Sequence, residues 1–255
     1  MEGWTGLPCK RVTIPNMASL DLAALAQFDT PTICNTIELF QVRPRTVGYM
    51  DSRIRACFPE MPPAVGYAAT ATMRCAEPRR DGDVYETLDQ QVSRFAELPG
   101  APIVVYQDLD DPCLAATFGE VMCTTYKAFG AQALITSGAA RDLDQVRRIG
   151  FPAFSNGVIC SHGYSHTVDL HRPVRVGGLT IHPGDLLHCD ANGVATIPLE
   201  IASEIAGAAA EFMQTEAIVL EYLTRPEVTV AGFGEARRGM MEAQAALSRR
   251  VRAAK

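Results

Sequence analysis

Between residues 64 and 150 the chain alternates short β-type runs with stretches of helical periodicity. That alternation restricts the possible fold more than any other feature. "VGYAATATMR" is β-rich and partly alternating, "GAPIVVYQDLDD" reads as a buried strand ending in acids, and "AQALIT" reads as a third strand. Between the first two, "VYETLDQQVSRFAEL" (84–98) puts Val84, Leu88, Val92 and Phe95 on one helical face. Between the second and third, "ATFGEVMCTTYKAFG" reads as a helix stopped by Gly130. Upstream, residues 19–41 predict two helices broken at "DTPT", with Asp29 or Thr30 capping the second and Pro31 in its first turn. Downstream, "FPAFSNGV", "PVRVGGLTIHPGDLLHCD" and "GVATIP" are short β segments punctuated by Gly and Pro, followed by helices over 199–223 and 234–250. The pattern predicts a mixed α/β fold. With no repeat or linker, the expected organisation is one domain over 1–255, with an irregular arm at 1–18 and a helical extension at 225–255.

Charge and apolar patterning exclude several partners. The net charge is −6, so a phosphate-binding surface is disfavoured and nucleic acid is not an expected partner. No apolar run reaches the roughly 18–20 residues of a membrane span. The start, "MEGWTGLPCKRV", lacks an apolar signal region, so a cytoplasmic location without membrane association is expected. Eight scattered cysteines contain no CxxC pair, and they read as reduced thiols.

One stretch carries candidate chemistry. Gly119-Glu120 opens a helix whose free first-turn amides and dipole suit an anion. Twenty residues later, after that helix and the next strand, Arg141 and Asp142 stand together. In an α/β layer a helix start and the end of the following strand share one edge of the sheet, where ligands commonly bind. A helix end, a guanidinium and a carboxylate therefore fall within reach of one small molecule. A plainer reading is also open: Asp142 with Gln145 fits a capping box, and Arg141 could be a solvated surface residue. In "CSHGYSHTVDLH", His162 and His166 have the spacing of a helical zinc pair, but Gly163 and the β-like surroundings oppose a helix. His162 or His166 could instead border the pocket and help select the substrate, or both could be ordinary loop histidines. "RVGGLTIHPGDLL" lacks both glycine-rich phosphate loops, and Asp185 and Asp190 read as turn residues.

The segment from "GEVMCTTYKAFGAQALITSGAARDLDQV" through "FPAFSNGV" to "PVRVGGLTIHPGDLLHCDANGVATIP" resembles the RraA-like family. That family holds regulators of ribonuclease activity and class II pyruvate aldolases such as 4-hydroxy-4-methyl-2-oxoglutarate aldolase. "FDTPTICNTIE" and "MDSRIRACFPEMPPAVGYAATAT" agree with it, so the resemblance covers about residues 25–215. It implies a compact α/β/α domain with a central β-barrel-like sheet core, assembled as a homotrimer or hexamer. It also implies a divalent-metal lyase that cleaves a 4-hydroxy-2-oxo acid to pyruvate, with oxaloacetate decarboxylation as a side activity. Residue by residue, Asp142 is the implied Mg²⁺ or Mn²⁺ ligand and Arg141 the group at the keto oxygen. Gly119 and the amides of Val121 and Met122 fall where the substrate carboxylate binds; metal-bound water held near Glu120 could relay the proton, a task open also to an acid from a neighbouring subunit. The chain departs from the aldolase pattern at three places: Glu120 replaces an Asp, Ser137 replaces the Asp before Gly138, and Asn35 occupies a commonly acidic position. A neighbouring subunit often supplies a further acid, for which Glu216 or Glu221 is available. The other readings are a non-catalytic regulator that binds a ribonuclease, and a lyase or hydrolase for another oxo or hydroxy acid.

Overall fold

The computed structural model describes residues 20–78 and 87–253; the arm expected at 1–18 and Val84 lie outside them. The chain runs through α1 (Leu22–Leu25), α2 (Thr30–Phe40), β1 (Arg55–Ala56), β2 (Ala64–Arg74) and α3 (Leu88–Ser93), which tightens into a 3₁₀ turn at Arg94–Glu97. Next come β3 (Pro102–Asp108), β4 (Ala116–Phe118), α4 (Glu120–Ala128), β5 (Ala133–Thr136), β6 (Ala139–Ala140), α5 (Leu143–Arg148) and β7 (Ala153–Ser155). A β-rich stretch follows: β8 (His166–Leu170), β9 (Val174–Val176), β10 (Leu179–Ile181), β11 (Leu186–Asp190) and β12 (Gly193–Ile197). Two long helices, α6 (Ala202–Leu223) and α7 (Val230–Ala253), complete it.

The main sheet has the order β1-β7-β5-β3-β2-β11-β12, with β8 beside the far end of β2. Strands β2, β3, β5 and β7 pair in parallel, as the intervening helices require, and the later strands pair antiparallel. The two ends of this path nearly meet. Tyr49, just ahead of β1, bridges Ala195 of β12. The Met50 amide donates to the Val194 carbonyl at 2.9 Å, and the Thr196 amide donates to the Gly48 carbonyl at 2.9 Å. The sheet thus curls into a nearly closed barrel, which protects its edges.

Strand β2 is buried along almost its whole length, and its small side chains let layers approach on both faces. Ala68, Ile103, Val105, Ile135, Val176 and Leu187 form one cluster. A second packs Phe95, Tyr126, Val146 and Phe151 outside the sheet, over Ala69, Ala71 and Val104. A third lays Ile33, Ile37, Phe40, Ile205 and Phe212 against Val65 and Tyr67. Asp29 caps α2, its Oδ1 accepting from the Thr32 amide at 2.7 Å, with Pro in the first turn as the sequence predicts.

One expectation changes. "ATF" is a strand rather than the first turn of a helix, because its three residues are fully buried and ladder in parallel with β6. Only from Glu120 does the chain turn helical. The C-terminal extension is the helix α7, which packs back on the body: Leu247 and Val251 enter the third cluster, and Ser248 Oγ donates to the Leu39 carbonyl at 2.8 Å. Among the described residues no helix is long and apolar enough to cross a membrane, and all seven described cysteines are free thiols.

Candidate active site at the start of helix α4

Residues separated by a helix and a strand meet at one corner. Strand β6 lies beside β4, and the Arg141 amide donates to the Phe118 carbonyl at 3.2 Å, which sets Arg141 against Gly119. Asp142 follows in the left-handed region (φ 55°) at the N-cap position of α5. Its side chain does not cap α5; instead Oδ2 accepts from the Glu120 amide at 3.0 Å, at the start of α4. The capping-box reading is therefore wrong as to which helix is served. A carboxylate at a helix N-terminus is stabilised by the free amides and the dipole, and here that helix belongs to another part of the chain.

Arg141 Nε lies 3.9 Å from Asp142 Oδ2, and the two side chains are 26% and 31% exposed. They are accessible without being loose. Gly119 makes the arrangement possible. A Cβ there would sit 2.4 Å from Asp142 Oδ2 and 3.0 Å from Arg141 Nε, well inside contact distance. The amides of Val121 and Met122 have no acceptor among the described residues, since the first helical bond to Gly119 comes from Cys123 at 3.1 Å. Glu120 is exposed on the first turn.

A small hollow of about 20 Å³ opens here, lined by Thr117, Phe118, Gly119, Val121, Met122 and Arg141, with His162 and Ser165 on its far wall. Of the predicted residues, Gly119, Val121, Met122 and Arg141 thus share one cavity, and Glu120 and Asp142 adjoin it. His162 lines it as well, whereas His166 is turned to its own loop, with Nδ1 2.9 Å from the Tyr164 carbonyl. The small residues at 138–140 do not open the hollow. Gly138 is pressed against Thr117 and Asp108, where a Cβ would meet Thr117 Oγ1 at 2.2 Å, and Ala139 and Ala140 are buried in the β4–β6 ladder. Their size serves close strand packing. Glu216 lies far along α6, where burial and the nearby Asp29 raise its carboxyl above the usual range. Asp185 accepts from the His182 amide as a turn residue; Asp190 closes its turn on the Asn192 amide and also accepts from the Thr30 amide at 2.8 Å.

Behind the hollow is a group that sequence reasoning did not single out. Cys75, Asp108 and Asp110 each bring a possible ligand atom within 4.8 Å of the others. Burial, then Asp108, push the Cys75 thiol up to about 12, and burial raises Asp108. The acids that end β3 were the available signal, because they lie at the same sheet edge as Arg141.

Comparison with known proteins follows the same lines. The model of the RraA-like family, described as Aldolase/RraA, matches residues 30–196. A Halalkalibacterium halodurans protein named "Putative 4-hydroxy-4-methyl-2-oxoglutarate aldolase" is 33% identical over 101 residues, which are 39% of this chain and 47% of that protein. The chain thus spans less than half the length of that curated relative. Among solved structures, an uncharacterized protein from Pseudomonas syringae pv. tomato superposes with a TM-score of 0.67 at 21% identity, covering 92% of this chain and 99% of that one. Streptomyces coelicolor RraAS2, titled an unusual member of the RNase ES inhibitor RraA protein family, gives 0.61 at 22%, covering 78% and 96%. At those identities the two structures speak to the fold alone.

Proposed function

Because this chain belongs to the RraA-like family, we propose that it is a metal-dependent carbon–carbon lyase that cleaves a 4-hydroxy-2-oxo acid to pyruvate. The observation that carries this reading is Asp142 turned away from its own helix to the start of α4, with Arg141 beside it over a glycine. Asp142 suits a divalent ion. Its Oδ2 is held by one amide, its Oδ1 has no partner among the described residues, and one protein carboxylate completed by water is usual for Mg²⁺. Mg²⁺ or Mn²⁺ held by Asp142 would supply Lewis acidity at the keto oxygen.

The chain's own groups supply the rest. Arg141 places a fixed positive charge where negative charge develops as the carbon–carbon bond breaks, and this charge is worth most in a site shielded from water. The unpaired amides of Val121 and Met122 orient the substrate carboxylate at the helix end. Glu120, exposed on the first turn, takes the proton from the 4-hydroxyl and returns one to the enolate carbon. Oxaloacetate decarboxylation passes through the same enolate and would use the same groups. The hollow is too small for such a substrate. Val121, which lines it, is an exposed apolar side chain, as are Leu114, Val158 and Tyr164 on segments that adjoin lining residues in sequence or by backbone pairing; we read these as the seat of a neighbouring copy that completes the pocket in a homotrimer or hexamer.

The test is a coupled pyruvate assay on oxaloacetate and a panel of 4-hydroxy-2-oxo acids, with Mg²⁺, Mn²⁺ or EDTA. The expected result is turnover that EDTA abolishes and that Asp142→Ala and Arg141→Ala lose, with Glu120→Gln altering the pH profile. A folded protein that turns over none of the panel, yet retains a ribonuclease, would overturn the lyase in favour of a regulator.

A further inference from the structure

The group behind the hollow sits in surroundings that a helix end or a surface acid cluster would not have. Asp110 Oδ2 accepts from the amides of Cys75 and Ala76, at 2.6 and 3.0 Å. Asp108 Oδ1 accepts from the Asp110 amide at 2.9 Å, and the Asp108 amide is held by Ser137 Oγ at 2.9 Å. The two carboxylates and the Cys75 backbone are therefore held by amide hydrogen bonds before any ligand arrives. Asp108 is only 9% exposed, and its Oδ2 is buried without a hydrogen-bond partner. The Cys113 thiol lies against Asp108 and also 3.0 Å from the Ala115 carbonyl, so its single weak donor is shared between them. Among the described residues no Lys, Arg or His forms an ion pair with Asp108 or Asp110: of the two arginines that line the same cavity, Arg53 is held by Asp51, and Arg175 pairs with neither acid.

A buried carboxylate with one oxygen unpartnered, no counter-cation and only a weak thiol beside it is costly, and a bound cation removes that cost. We propose that Cys75, Asp108 and Asp110 form a second metal site, selective for a thiophilic divalent ion of the Zn²⁺ or Co²⁺ class. A sulfur ligand with two oxygens favours such an ion over Mg²⁺, which takes oxygen and water. Three protein ligands leave one position of a tetrahedral ion open. Ions reach it through the cavity of about 350 Å³ that Asp108 and Asp110 line together with Gln107, Asn156 and Gly177. Ser165 joins this site to the hollow, since its Oγ lies 3.9 Å from Cys75 Sγ while the residue lines the hollow's wall. The site is separate from Asp142 and does not rest on the lyase reading.

The experiment is a Co²⁺ titration of the full chain, reduced and metal-free, followed by thiolate-to-Co²⁺ charge-transfer absorption and by displacement with Zn²⁺. One equivalent should develop the band. Cys75→Ser should abolish it, Asp108→Asn should weaken binding at least tenfold, and Asp142→Ala should leave it intact. Should Cys75→Ser fail to fold by circular dichroism, the near-isosteric Asp108→Asn decides. No band in the unaltered chain, a band that survives Cys75→Ser, or unchanged affinity in folded Asp108→Asn would each overturn the assignment.

Discussion

Adding a single methyl at Gly119 separates the chemistry of this corner from its stability. The residue's backbone is extended (φ −153°, ψ −165°), so alanine brings no conformational strain. Its Cβ, however, would lie 2.4 Å from Asp142 Oδ2 and 3.0 Å from Arg141 Nε. Normal contact requires the carboxylate to retreat by ~1 Å, which parts it from the Glu120 amide now at 3.0 Å. Both side chains are about a quarter to a third exposed, so they can move into water. The lost bond then costs only about 1 kcal/mol, and the melting temperature should fall by about 2–4 °C. A 1 Å displacement of the groups that hold the ion and the substrate is far more damaging, of the order of 10²-fold in kcat/KM or about 2.7 kcal/mol. The assay is metal-dependent pyruvate release by Gly119→Ala beside the unaltered chain, with both melting curves recorded. Turnover within threefold of the unaltered chain would refute the placement of the site. A loss of activity matched by a fall of more than about 10 °C would refute the claim that the corner is separable from the fold.

Three further outcomes follow from the packing. His188 Nε2 faces the Leu25 carbonyl at 3.2 Å and so must donate, leaving Nδ1 to accept from Thr30 Oγ1 at 2.9 Å; the ring is buried in its neutral form, and burial lowers its affinity for protons. Since the unfolded chain takes that proton near pH 6.5 and the folded chain only below it, this contribution to stability is complete above about pH 6.5 and is lost as pH falls. Urea unfolding from pH 7.5 to 5 should show the decline, and His188→Gln should flatten it. Tyr126 donates to Gln91 Oε1, which Tyr106 also engages at 2.7 Å in a fully buried cluster. Tyr126→Phe should cost about 1 kcal/mol by denaturant unfolding, and no change would mean that the hydroxyl is dispensable. Leu247 anchors α7 in the third core cluster, so Leu247→Ala should destabilise by about 2–5 kcal/mol. A cost below about 0.5 kcal/mol would show α7 undocked.

Elements whose signals lie within a few residues were legible in the linear chain. Asp29 and Pro31 mark the start of α2, the buried run 102–108 makes β3, and the apolar pattern after 199 makes α6. "ATF" was misread because three apolar residues ahead of a helical pattern fit that pattern equally well; only its ladder with β6, a partner about twenty residues away, makes it a strand. Glu120, Arg141 and Asp142 were identifiable as candidates from their order and spacing, but which helix Asp142 serves was not.

By itself the sequence determined the α/β alternation, the family's pattern, and the acids and cation gathered at one edge of the sheet, because each depends on neighbours along the chain. Only the tertiary structure decided that the sheet ends meet, that α7 folds back, that Gly138 and Ala140 are small for packing, and that Cys75 stands beside Asp108 and Asp110. Those results depend on strand register and on contacts between distant segments, where a shift of a single residue would turn every side chain to the opposite face.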